Sequence, residues 1–152
     1  IFIMDELKKS KKIKKPKQVK KSTVWKYFSL YIRTRDCIAT TGTLNKCRCV
    51  TCDRIVDFGY LQAGHAIGGR NNSILYDEEL VNGQCKLCNG YGGGKYAEYS
   101  SWFIKKYGIE KWDEKIALSN QIGKKLDNNY LRDYYKQKYE DLVSNFNKKK
   151  YE

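Results

Sequence analysis

Two short stretches, CVTC at 49–52 and CKLC at 85–88, decide how this chain folds. A C-x2-C turn presents two thiolates to one point, and two such turns complete a tetrahedral site. Residues 53–84 separate them. A disulfide framework goes with secretion and a cleaved leader. The N-terminus, IFIMDELKKSKK, has an apolar run too short for a leader, and lysines follow where a cleavage site would stand. The spacing therefore predicts one zinc ion held by Cys49, Cys52, Cys85 and Cys88. Four thiolates leave no position open to water or substrate, so this zinc is structural. Cys37 and Cys47 are left over. Cys47 lies close enough in sequence to Cys49 to exchange as a ligand, although free cysteines are usually small buried residues.

Between the two cysteine pairs lies LQAGHAIGG (61–69), with the only histidine of the chain, His65. RIVDFGYLQAGHAI (54–67) is rich in Ile, Val, Phe and Tyr with a glycine break, which predicts two short strands, the second ending near His65. GGRNNS (68–73) reads as a loop, ILYDEELVN (74–82) as one short helical turn, and NGYGGG as a flexible exit from the second cysteine pair. Upstream, STVWKYFSLYIRTRD (22–36) has helical apolar spacing, with Ser22 or Thr23 as the cap, and ATTGTLNK reads as an exposed hairpin or loop. Downstream, three helices are expected over 95–108, 111–125 and 128–146, the first closed by Gly108 and the second weakened by Gly123. Their aromatic residues are expected mainly in a core or against a partner.

The 152 residues carry a net charge of +13. Lys8, Lys9, Lys11, Lys12, Lys14, Lys15, Lys17, Lys20 and Lys21, set against Asp5 and Glu6, leave the first 21 residues at +7. That segment is expected to be a disordered basic arm. The rest still carries +6, so the body is basic as well. Such a surplus attracts polyanions, and a lysine arm can release counterions from a phosphate backbone. Arg70 and Lys95 join the arm lysines as expected nucleic-acid contacts. No segment approaches the roughly 18 apolar residues of a membrane span. A cytoplasmic chain with no membrane partner is expected.

If zinc pins the start of the strand pair to the start of the following helix, His65 can face Asn89, which directly follows Cys88. A neutral imidazole, with ordinary pKa near 6.5, can take a proton from water. Mg²⁺ prefers oxygen ligands and keeps several waters, so Asn89 and a phosphate could share it. The bland alternative is a histidine packed beside a structural zinc. Gly64, Ala66, Gly68 and Gly69 around His65 argue against deep burial and leave the backbone open to a phosphate.

The pieces YIRTRD (31–36), CVTC, AGH (63–65), YDE (76–78), QCKLCN (84–89) and EY (98–99) occur together and in order. In this the chain resembles the phage recombination endonucleases called NinG or Rap, a branch of the ββα-metal (HNH, His-Me finger) nucleases. It is also similar to endonuclease VII-type resolvases. The resemblance spans about residues 24–108, with a looser helical match to 143. It implies an α+β fold with a zinc-bound treble-clef or ββα-metal core (22–108), flanking α-helices and a C-terminal helical extension (109–152). It implies a Mg²⁺-dependent endonuclease, with Mn²⁺ as a possible substitute, acting on branched DNA such as four-way (Holliday) junctions in the host cytoplasm. Residue by residue, His65 takes the general-base position, Asn89 a metal-ligand position, the four cysteines the zinc positions, and Glu98 a catalytic acid on the following helix. Asp77 and Glu78 match an acidic pair.

The chain departs from those patterns in two places. Gly64 stands where endonuclease VII has an aspartate. Leu80 and Asn82 stand where the family has Asn and His. These changes shift metal binding onto Asn89, Glu98 and Asp77. Two coordinated cuts would suit a homodimer, with the C-terminal helices as candidate interface unless they cover their own core. Two other readings share most of these features: a non-catalytic zinc module that binds nucleic acid, and a nuclease for linear or single-stranded DNA.

Overall fold

The computed structural model describes residues 13–152, which form an α+β structure with two small antiparallel sheets. Helix α1 spans Lys21–Thr41 and buries Val24, Phe28 and Ile32, one residue per turn. It starts without a side-chain cap at Lys20 and runs past the end expected from the sequence. The hydroxyls of Thr40 and Thr41 donate to the carbonyls of Asp36 and Cys37 at 2.7 and 2.9 Å, so they support the last turn instead of breaking it. The stop comes only at Gly42, whose φ of 67° is a left-handed C-cap.

Strands β1 (Lys46–Arg48) and β2 (Ile55–Asp57) pair around the first cysteine turn. Strand β3 (Leu61–His65) pairs with β4 (Val81–Cys85), so that Gln62 faces Gln84 and Gly64 faces Asn82. The expected two strands in 54–67 are present, but each pairs with a different partner. Strand β4 was not expected, because VNGQ reads as a turn with weak strand propensity. Tertiary contacts override that preference. All five of its residues are buried. Arg35 donates to the carbonyls of Glu78 and Val81 and to Asn82 Oδ1, while Asp36 accepts from the Gly83 N–H at 2.7 Å. The RTRD segment of α1 thus holds β4 in place. Gly83 fits closely there: a Cβ would stand 3.1 Å from Cys47 Sγ and 3.3 Å from Leu61 Cδ1.

A π-helical turn, Leu87–Tyr91, follows β4, then helices α2 (Tyr96–Tyr107), α3 (Ile109–Ser119) and α4 (Asn128–Lys149). NGYGGG is thus ordered, with the Gly92 N–H bonded to the Leu87 carbonyl and the Gly94 N–H to that of Cys88. One core packs Phe28 and Ile32 against Ala63, Val81 and Tyr135; a second packs Leu80 and Ile74 against Tyr99 and Phe103. Helix α4 lies on α1, with the Phe28 and Tyr135 rings 4.8 Å apart. Residues 109–152 therefore close the core and are no separate extension.

Lys8, Lys9, Lys11 and Lys12 lie outside the described residues. The expected disordered arm is corrected for its last part. The backbone at Lys17 and Val19 bonds the side chains of Asn128 and Asn129, and Gln18 accepts from the Asn129 N–H. These bonds strap the segment to the start of α4. Lys21 belongs to α1 and donates to Asn72. Among the described residues no helix is long and apolar enough to cross a membrane.

Phe28 is fully buried and joins α1, β3 and α4 through its contacts. Phe28→Ala should cost about 3–5 kcal/mol of stability, read as a lowered midpoint in urea unfolding. A loss of about 0.5 kcal/mol or less, the scale of a surface substitution, would show that this core does not carry the fold.

Candidate functional site

The two cysteine turns meet. The Sγ atoms of Cys49, Cys52, Cys85 and Cys88 all lie within 4.8 Å of one another, with Cys52 and Cys85 at 3.8 Å. Sulfurs bound at about 2.3 Å around a tetrahedral ion stand at such separations, so this set could hold a zinc ion. Burial pushes the Cys49 thiol up, but N–H donation from Cys85 and neighbouring donors outweighs it and brings the thiol down to about 6. Cys52, Cys85 and Cys88 are pushed up, first by burial. A dication at the centre would reverse that for all of them. Cys37 and Cys47 pack together with Leu61 in a separate cluster, so Cys47 is not an exchanging ligand.

His65 ends β3 and is 8 % exposed, more buried than its small neighbours suggested. Its ring stacks on Trp25 of α1, with centroids 5.4 Å apart and planes 15° apart. Nε2 lies 3.1 Å from the Leu75 carbonyl oxygen. A carbonyl only accepts, so the neutral ring carries its proton on Nε2 and keeps the Nδ1 lone pair. Burial pushes the imidazole below its ordinary range; the Leu75 carbonyl opposes this and Arg70 adds to it. The ring is therefore neutral at neutral pH.

Asn89 sits in the π-helical turn, and its Nδ2 donates to Gln62 Oε1 at 2.8 Å. Its Oδ1 then points at Gly64, 3.1 Å from where a Cβ would stand. Asn89 thus faces the backbone just before His65, while strand alternation turns the imidazole toward α1. The unpaired edge of β3 lines a polar cleft of about 400 Å³ between α1 and the second cysteine turn. Trp25, Arg33, Gln62, Arg70, Lys86 and Asn89 border it. The Arg70 guanidinium lies 4.4 Å from the centre of the Trp25 ring. Three cations around a polar cleft suit a phosphate backbone.

The other expected site residues lie elsewhere. Asp77, expected on the catalytic cation, accepts from the N–H groups of Glu79 and Leu80 and pairs with Lys115 at 2.7 Å, both side chains nearly buried. Glu78 pairs with Lys138 at 2.9 Å. Glu98 is exposed in the first turn of α2 and has no hydrogen-bond or ion-pair partner among the described residues; the turn at 90–94 does not bring it to Asn89 by any contact. Leu80 is core, and Asn82 is tied to Arg35, Glu79 and Tyr99. Lys14, Lys15, Lys17, Lys20 and Lys95 are exposed, as is Arg70, the only one of these that lines the cleft. Sequence reasoning missed Arg33, Gln62 and Lys86, whose only signal was their place on α1, on β3 and inside the CKLC turn.

The sequence model of the family described as Bacteriophage Lambda NinG protein matches residues 4–148, and the chain belongs to that family. No curated protein and no solved structure matches it.

Purified protein should contain one zinc per chain, and chelation should unfold it, because structural zinc contributes about 10–16 kcal/mol in small fingers. Cys85→Ser should be insoluble or molten. Folded protein free of zinc in metal analysis would remove the zinc assignment. The imidazole of His65 should titrate by NMR below the ordinary value of about 6.5. A depressed folded value means the unfolded chain binds more protons. Stability from this group is thus full above the ordinary value and is lost as pH falls toward the folded one. His65→Gln should flatten that part of the stability profile.

Proposed function

We propose that this NinG-family chain is a divalent-metal-dependent DNA endonuclease with a ββα-metal (HNH, His-Me finger) core, and that His65 is its general base. The observation that carries the reading is the contact between His65 Nε2 and the Leu75 carbonyl oxygen. The Leu75 carbonyl accepts a hydrogen bond from the Nε2–H, and burial keeps the ring neutral. Together they leave Nδ1 able to accept a proton. The order of parts supports it: hairpin β3–β4, the second cysteine turn, then Asn89 with its carbonyl at Gly64.

In this reading Arg33, Arg70 and Lys86 hold the phosphate backbone along the open edge of β3. Asn89 would be the residue that holds Mg²⁺ or Mn²⁺, through Oδ1, since such a hard cation prefers oxygen ligands. When bound, the cation stabilises the charge that grows on the leaving oxygen. His65 Nδ1 removes the proton of the attacking water, and the Leu75 carbonyl steadies the imidazolium that results. The substrate is branched recombination DNA, four-way junctions above all, cut by a homodimer. This choice of substrate rests on family membership and the resemblance of the motifs, not on the geometry of the cleft.

One observation favours the alternative, a zinc-stabilised module that binds nucleic acid without cutting it. Among the described residues, the four cysteines are the only group of three or more His, Cys, Asp or Glu that could share an ion. Cleavage of a fixed four-way junction and of a linear duplex in Mg²⁺ separates the readings. His65→Ala should keep zinc, fold and junction binding and lose cleavage by about 10²-fold or more. Cleavage by His65→Ala at the wild-type rate, or no cleavage by wild type, would favour the binding module. Equal cleavage of linear duplex would change the substrate and leave the chemistry.

A further inference from the structure

Beside the cleft, three large apolar side chains, Ile55, Tyr60 and Leu87, border one space. Each is more than half exposed, and none belongs to a core cluster. Ile55 starts β2, Tyr60 ends the short turn Phe58–Tyr60 that leads into β3, and Leu87 lies inside the second cysteine turn. They are far apart in sequence and meet because the cysteine cluster joins the β1–β2 hairpin to the end of β4. The space is an open pocket of about 300 Å³, at the small end of ligand sites.

Its rim is cationic. Lys46, Arg54 and Lys86 border it, and Asp57 is the one carboxylate in its lining. Lys46 pairs with Asp57 at 2.7 Å. Arg54 and Lys86 are exposed and form no ion pair among the described residues. Lys86 also borders the cleft, and its ammonium lies 5.4 Å from the centre of the Tyr60 ring. Gly59, next to Tyr60, lines the cleft. The turn Phe58–Tyr60 and Lys86 therefore stand between cleft and pocket. Apolar walls with an unpaired cationic rim call for an anionic partner that carries a flat, apolar unit. A nucleic-acid strand is such a partner: its phosphates suit Arg54 and Lys86, and a base suits the face of an exposed aromatic ring.

We infer that this pocket takes one unstacked base of the DNA strand whose phosphates run along the cleft, with Tyr60 as its stacking platform. The inference rests on the nucleic-acid-binding part of the reading above, which the nuclease and the binding module share, and not on catalysis. Bases of an intact duplex are stacked on one another, and drawing one out costs least where it is already unpaired. Stacking on an aromatic ring tolerates any base. The pocket therefore reads local unpairing and not sequence. Bulges, flaps and open branch points offer such a base; intact duplex does not.

The zinc-loaded full chain is titrated, without Mg²⁺ so that the DNA stays intact, into a short duplex with one unpaired 2-aminopurine at its centre and into the same duplex fully paired. The fluorescence of the unpaired base should fall as it stacks, and this DNA should bind tighter than the paired duplex. Tyr60→Ala should abolish that fall and weaken binding of the unpaired-base DNA about fivefold or more, the low end for one base on an aromatic ring. It should leave binding of the paired duplex unchanged, and Tyr60→Trp should keep the preference. Should Tyr60→Ala misfold, photocrosslinking of an unpaired 5-iodouracil to the unaltered chain still decides: attachment at Tyr60 or Leu87 supports the pocket, and attachment elsewhere overturns it. Equal binding of both DNAs by the unaltered chain, or an equal loss on both in Tyr60→Ala, would overturn the inference and leave the DNA-binding reading. Binding of neither DNA would overturn both. Self-association that Tyr60→Ala abolishes would give the pocket to a second copy of the chain and overturn the base assignment.

Discussion

The rest of the molecule depends on the meeting of two cysteine turns. One lies in the β1–β2 hairpin, the other joins β4 to the π-helical turn, and their sulfurs come within 4.8 Å. Neither hairpin is long enough to be stable alone; β1 and β2 have three residues each. Bringing the sulfurs together fixes the end of β4 against β1 and thereby the direction in which the chain leaves Cys88. Asn89 is the next residue. Its position beside Gly64 therefore follows from the cysteine cluster, as does the wall of the cleft that carries Lys86.

Within that frame the strand ladder divides the work between two faces. Leu61, Ala63 and His65 turn toward α1, where Cys37 meets Leu61, Phe28 meets Ala63 and Trp25 meets His65. Gln62 and Gly64 turn the other way, toward Gln84 and Asn89. The imidazole and the side-chain carbonyls of Gln84 and Asn89 thus lie on opposite faces of adjacent residues. The imidazole lies against Trp25, and its burial favours the neutral form, while the opposite face presents the side-chain carbonyl of Asn89. The empty side chain of Gly64 is what allows Gln84 to reach that point.

Local pattern carried much of this. The helices of α1, α2 and α4 followed from apolar spacing, and the cysteine cluster from C-x2-C spacing alone. Strand β4 did not, because its burial and its bonds to Arg35 and Asp36 come from a helix more than 40 residues away in sequence. For the same reason the partners of β2 and β3 were not legible: pairing is set by the cysteine cluster and by α1, not by adjacency. His65 was legible as a singular residue, but its stack on Trp25 was not, since small neighbours in sequence say nothing about what packs from α1. Gln84 stood in plain view beside Cys85 and had no signal of its own until β4 placed it opposite Gln62.

The acidic loop shows how far support for His65 extends. Asp77 and Glu78 match an acidic pair in sequence, yet they and Glu79 each meet a lysine from the C-terminal helices: Lys115 for Asp77 and Glu79, Lys138 for Glu78. Asp77 also closes the turn by accepting from two backbone N–H groups. These bonds hold the segment just after Leu75, whose carbonyl sets the tautomer of His65. Helices α3 and α4 therefore steady the loop that orients the imidazole, at the same time as Tyr135 completes the core behind it. The C-terminal third of the chain contributes no group to the cleft. Its influence on His65 runs through Lys115 and Lys138, which hold the acidic loop, and through Tyr135 in the core.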